Sequence, residues 1–136
     1  AGYKMAFGQH SGVVNSFTDF NYIPRFSLNE NYGNMKRLKL ILNALPLPIK
    51  DITPTDPMIK VRNPPDFGFT VSSSIKSLKN LSCFSSNEGQ LHAEKIGHRV
   101  ELRMIKPFPK GRTRINCTLP GPENRWRWHG RLFVVP

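Results

Sequence analysis

Two cysteines, four histidines and 20 Lys+Arg side chains are the groups in this 136-residue sequence with chemistry to offer. Cys83 and Cys117 stand 34 positions apart, each inside an apolar run with strand character. A structural zinc site needs four Cys or His ligands at close spacings, and no histidine stands at ligand spacing from either cysteine. The alternatives are a disulfide and two buried free thiols, with the disulfide preferred. Closing a loop of that length stabilises a fold by about 3–4 kcal/mol and belongs to an oxidising compartment. His10, His92, His98 and His129 are scattered, and no HxxxH, HExxH, GxSxG, GxGxxG or GxxxxGK[ST] pattern occurs. The polar cluster Gly8-Gln9-His10-Ser11-Gly12 directly follows an apolar run, a position that lines active sites in α/β folds. No complete catalytic constellation is present, so the sequence does not itself encode a reaction. Asn-x-Ser/Thr occurs at Asn80 and Asn116, both within expected strands, and is not read as a signal.

Charge is the other conspicuous chemistry. Against 9 Asp+Glu the chain carries a net charge of +11, which suits an anionic partner or surroundings. Arg112, Arg114, Arg125, Arg127 and Arg131 cluster near the end. If 112–118 pairs antiparallel with 125–131 around a loop at 119–124, Cys117 faces Trp126 and Ile115 faces Trp128. One side of that ribbon is then apolar, with Trp126 and Trp128 as core aromatics, and the other carries all five arginines. Such a face is a candidate polyanion-binding surface.

The elements that position these groups follow from composition. With 10 Gly, 12 Pro and 38% hydrophobic residues, the chain is a mostly β protein able to bury a core. No apolar run is long enough to span a membrane. Residues 1–32 alternate short apolar runs with turn residues and read as two or three short strands. Residues 34–45 form the one helix, with Met35, Leu38, Ile41, Leu42 and Leu45 along one stripe. Pro46, Pro48, Pro54, Pro57, Pro64 and Pro65 make 47–66 a connector that tolerates only extended or edge-strand backbone. From residue 67, strands at 67–71, 80–84, 99–105, 112–118 and 125–135 suggest a small β-sandwich-like domain. The opening Ala1-Gly2-Tyr3-Lys4-Met5 shows neither an initiator Met nor a secretory signal, as expected for a mature or excised piece of a longer chain.

The stretch Gly2-Tyr3-Lys4-Met5-Ala6-Phe7-Gly8-Gln9-His10-Ser11-Gly12-Val13, followed by Ile23-Pro24-Arg25-Phe26, resembles the closing segment of bacterial polysaccharide deacetylases, the NodB-like carbohydrate esterases. Asn63-Pro64-Pro65, Phe67-Gly68-Phe69, Cys83-Phe84, Gly111 to Thr118 and Arg125-Trp126-Arg127-Trp128 resemble the extension that follows the barrel in one subgroup. The resemblance implies that 1–46 is the strand-strand-helix end of a partial (β/α) barrel, 47–66 a connector and 67–136 the β-rich extension. It implies a polysaccharide substrate rather than nucleic acid, a periplasmic or secreted setting that agrees with a Cys83–Cys117 disulfide, and zinc or a similar divalent metal. The family's Asp-Asp pair, His-x-x-x-His and Arg/Pro-Tyr motifs would all lie upstream of Ala1. Gln9, His10 and Arg25 would line the barrel mouth without a catalytic role, because no ligand of the family's metal matches them. Two other readings compete: a non-enzymatic basic module on anionic polysaccharide or nucleic acid, and an arginine face that packs against the barrel.

Overall fold

The computed structural model describes residues 2–136, a mostly β architecture with one helix. Helix α1 spans Met35–Leu42. The Asn34 side chain caps it by accepting the Arg37 N–H at 2.9 Å, and the Asn43 amide closes it by donating to the Lys39 carbonyl at 2.8 Å. It ends earlier than its apolar stripe because Pro46 disfavours helical backbone at Leu45. No helix among the described residues is long and apolar enough to cross a membrane.

The strands are β1 (Leu45–Pro46), β2 (Ile49–Thr53), β3 (Phe67–Val71), β4 (Ser82–Ser85), β5 (Gly89–Ile96), β6 (Arg99–Arg103), β7 (Gly111–Pro120) and β8 (Trp126–Val135). They form one sheet in the order β1-β8-β7-β4-β5-β6-β3-β2. Every pairing is antiparallel except β1 with β8. β5 pairs with β4 through Gly89–Leu91 and with β6 through His92–Ile96, so it carries the sheet around the bend. The two ends of the order, β1 and β2, are separated only by Leu47 and Pro48, which forces the sheet to curl into half a barrel. Phe67 on β3 and Phe133 on β8, with four strands between them in the order, therefore meet with ring centroids at 5.2 Å.

One continuous sheet thus encloses the core. Phe67, Phe69, Val71, Val100, Ile115 and Phe133 are its fully buried centre. β7 shows how the pattern produces it: Thr113, Ile115, Cys117 and Leu119 are buried while Arg112, Arg114 and Pro120 are exposed. Cys83 on β4 lies directly opposite Cys117 on β7, and the two form a disulfide with Cα atoms 4.1 Å apart.

Residues 2–32 hold no strand; their β-type pairing is confined to the single bridges Phe7–Ile23 and Gly12–His129. Asx-type turns at Asn15, Asp19 and Asn29, where each side chain accepts a backbone N–H two residues on, interrupt the chain too often for a ladder. The 47–66 segment is more than a connector, since β2 pairs with β3 and Met58 bridges to Val134. Its prolines do confine it to sheet edges. β5 is a strand the sequence reading lacked: its alternation buries only Leu91 fully, so polar residues mask it.

The terminal hairpin also differs in register. Cys117 faces His129, Thr118 faces Trp128 and Ile115 faces Arg131. The strand runs on through Leu119 and Pro120, and the turn is Gly121–Arg125, with Glu123 and Asn124 at φ 56° and 57°. Leu119 is 3% exposed, and a loop at 119–124 would have left it in water. Burial of Leu119 accordingly sets the pairing three residues away from the symmetric one.

Candidate functional site

A shift of three residues is odd, so it turns β8 over. Trp126 and Trp128 share the outer side with Arg112, Arg114, Asn116 and Thr118, whereas Arg127, His129 and Arg131 share the inner side with Ile115, Cys117 and Leu119. The tryptophans are therefore not core aromatics: Trp126 is 40% exposed and Trp128 is half-buried outside the core cluster. The five-arginine face does not exist either. Arg125 donates Nε to the Asn43 carbonyl at 2.7 Å, and Arg127 reaches the Pro46 carbonyl at 3.5 Å. Arg131 donates to the Pro54 and Thr55 carbonyls at 3.1 and 2.6 Å and lies over the Phe133 ring. These three clamp the 43–55 segment to the edge of β8. Arg112 and Arg114 remain on the outer side, Arg112 donating to Gln9 Oε1.

The outer side of β7 and β8 is covered by the amino-terminal segment. Phe26 meets Trp128 edge-on at 5.2 Å, and Gly12 bridges to His129. Within the segment, His10 stacks on Tyr22 with centroids at 4.3 Å, and Arg25 donates Nε to the Gly8 carbonyl at 3.0 Å. A side chain at Gly8 would collide with the His10 ring, its Cβ lying 2.6 Å from Nδ1, so glycine there lets the imidazole fold inward.

His10 and His129 line a cavity of about 260 Å³ together with Tyr22, Leu47, Trp128 and Arg131. Burial lowers the His10 pKa to about 4, with the Arg131 charge adding to the effect. Burial, then His10 and Arg131, lowers His129 to about 3. Both imidazoles are neutral at pH 7, and His10 Nδ1 and His129 Nε2 are enclosed without hydrogen-bond partners. Among the described residues no three His, Cys, Asp or Glu side chains gather closely enough to hold a metal, and two neutral imidazoles without a carboxylate do not complete a zinc site.

The expected trio of lining residues is divided. His10 belongs to the cavity just described, while Gln9 and Arg25 line a second one of about 470 Å³ between the amino-terminal segment and the sheet. Arg37, Arg114, Tyr32, Asn116 and Trp128 also line it. Arg37 on α1 and Tyr32 in the turn before it reach this cavity only because the fold sets them against a sheet that is distant in sequence. The signal available was local: Lys36 and Arg37 occupy the first turn of a helix with no acidic residue there. No protein-family model, curated protein or solved structure matches the chain.

Proposed function

We propose that this chain is the carboxyl-terminal part of a polysaccharide deacetylase acting on N-acetylated cell-surface polysaccharide in a periplasmic or secreted setting. The amino-terminal segment and α1 would be the part that packs against the upstream barrel, and 67–136 the β-rich extension. On this reading the chain supplies scaffold and substrate contacts, while the metal and the groups that hydrolyse the amide sit on upstream polypeptide. The motif resemblance of 2–26 and 111–128 motivates the proposal. The single structural observation that carries it is the contrast between the two parts of the chain. The sheet has a closed core, whereas ten of the sixteen exposed large apolar side chains among the described residues, Tyr3, Phe7, Phe17, Phe20, Met35 and Leu42 included, fall within the first 42 residues. Large apolar side chains left in water at this density along the chain favour a surface that another body covers. The buried Cys83–Cys117 disulfide is compatible with an oxidising compartment.

The test is metal-dependent release of acetate from N-acetylated chitooligosaccharides by a longer chain that includes upstream sequence. Release abolished by chelation and restored by zinc is expected. A longer chain that carries an Asp-Asp pair and His-x-x-x-His yet releases no acetate with metal present would overturn the proposal.

A further inference from the structure

We infer that the cleft between the amino-terminal segment and the outer side of β7–β8 binds an acidic sugar unit, a uronate in a polysaccharide chain. The inference rests on the polysaccharide reading only for the sugar ring; the charge preference comes from the cleft itself. Arg25 from the amino-terminal segment, Arg37 from α1 and Arg114 from β7 line this one cavity, and no acidic residue does. The ion pairs Lys60–Asp56, Arg62–Asp66, Arg99–Glu101 and Arg103–Glu94 all lie elsewhere. Three like charges gathered on one concave surface repel one another and favour an anion between them. The planar guanidinium fork matches a carboxylate with two parallel hydrogen bonds.

Two local conflicts point the same way. Arg37 Nε is shielded from solvent with no hydrogen-bond partner, an unfavourable state for a charged donor. Arg37 and Lys36 also place positive charge in the first turn of α1, where the helix dipole favours negative charge. A bound carboxylate relieves both, and residues that break local rules mark functional positions.

The remaining walls suit a sugar ring. Trp128 is held in place from two sides, its Nε1–H donating to Asn116 Oδ1 at 3.1 Å and its ring packing perpendicular to that of Phe26. Tyr32 lies beneath the Arg37 guanidinium at 4.9 Å. Rigid aromatic rings flanked by amide and hydroxyl groups give a sugar an apolar face to rest on and partners for its hydroxyls. The cavity, about 470 Å³, falls in the size range of small-ligand sites.

The experiment titrates the 136-residue chain, carrying Trp126→Phe so that Trp128 alone fluoresces, with trigalacturonate in about 150 mM salt, where non-specific attraction to a basic protein is screened. Parallel titrations use neutral chitotriose, inorganic sulfate and a short single-stranded oligonucleotide. Saturable binding of trigalacturonate, weaker for the three comparators, is expected. Arg37→Gln with Arg114→Gln should weaken it by about tenfold or more, because both charges would face the carboxylate directly. Lys106→Gln with Lys110→Gln, an equal charge change at exposed positions away from the cleft, should leave it within about twofold. Should the double arginine variant unfold, Arg114→Gln alone, at an exposed side chain, carries the comparison. Equal weakening by the lysine pair, equal binding of chitotriose, or tighter binding of sulfate or oligonucleotide overturns the inference. No upstream sequence is needed, so the outcome is independent of whether a longer chain releases acetate.

Discussion

The carbonyl oxygen of Ser11 occupies the space in front of Gly130: a Cβ at position 130 would lie 2.2 Å from it. Glycine inside a strand weakens it, and its use there marks a close approach by other backbone. Here the approaching backbone is the amino-terminal segment, which forms one wall of both cavities. Gly130→Ala should therefore push that segment off the sheet. Overpacking of this kind costs about 1–3 kcal/mol. In a Trp126→Phe background, acrylamide should quench Trp128 more strongly in the variant. Unchanged quenching and an unchanged melting temperature would mean that the contact does not seat the segment.

Phe133 is fully buried where the two halves of the curled sheet meet, against Phe67 and Phe108. Phe133→Ala removes the contact that spans the curl and should cost about 3–5 kcal/mol in urea unfolding. Phe84, 46% exposed on β4, is the internal comparison, and Phe84→Ala should change stability by less than about 1 kcal/mol. Similar losses for the two variants would mean that the core is not centred on Phe133.

The contrast between β3 and β8 explains which parts of this fold were legible beforehand. β3 was readable to the residue, Phe67–Val71, because Asn, Pro and Asp precede it and serines follow. β8 was readable as a strand but not in register. Tryptophan, arginine and histidine alternate through Arg125–Arg131, and either side can be taken as apolar when aromatic and cationic side chains trade places. What decided the matter was Leu119, a demand of the distant core rather than of the hairpin. The same limit applied to the candidate site. Gln9 and His10 could be singled out because they sit in one polar run, and Arg25 because it lies in the Ile23–Phe26 stretch that carries the family resemblance. Their separation into two cavities depends on Gly130 and on α1, neither of which the local pattern connects to them.

Cys83 and Cys117 are 0% and 1% exposed and lie opposite each other at the centre of the β4–β7 pairing. The link closes a loop of 34 residues that contains β5 and β6. In the chain-entropy account that closure contributes about 3–4 kcal/mol. Cys83→Ala with Cys117→Ala should lower the urea midpoint by the equivalent amount, and a reductant should do the same to the parent protein but not to the variant. A reductant that lowers both equally would show that the effect does not come from this bond.

His10 and His129 predict how stability responds to acid. Their folded-state pKa values, about 4 and about 3, lie below the ordinary value of 6.5 that applies once the chain unfolds. Between those limits the unfolded chain takes up protons that the native state refuses. The stability these neutral rings contribute is thus fully present above pH 6.5 and is lost as pH falls toward 4. The slope approaches about 1.4 kcal/mol per pH unit for each histidine. Carboxylates add little until lower pH, and Glu94, held below its usual range by the Arg103 hydrogen bond, contributes in the same direction there. Thermal melts should accordingly show a falling midpoint from pH 6.5 to 4.5. His10→Gln with His129→Gln should flatten that fall, since glutamine does not titrate. A parent protein whose midpoint holds steady across this window would mean that both rings take up protons in the folded state and that the cavity between the segment and the sheet is open to water.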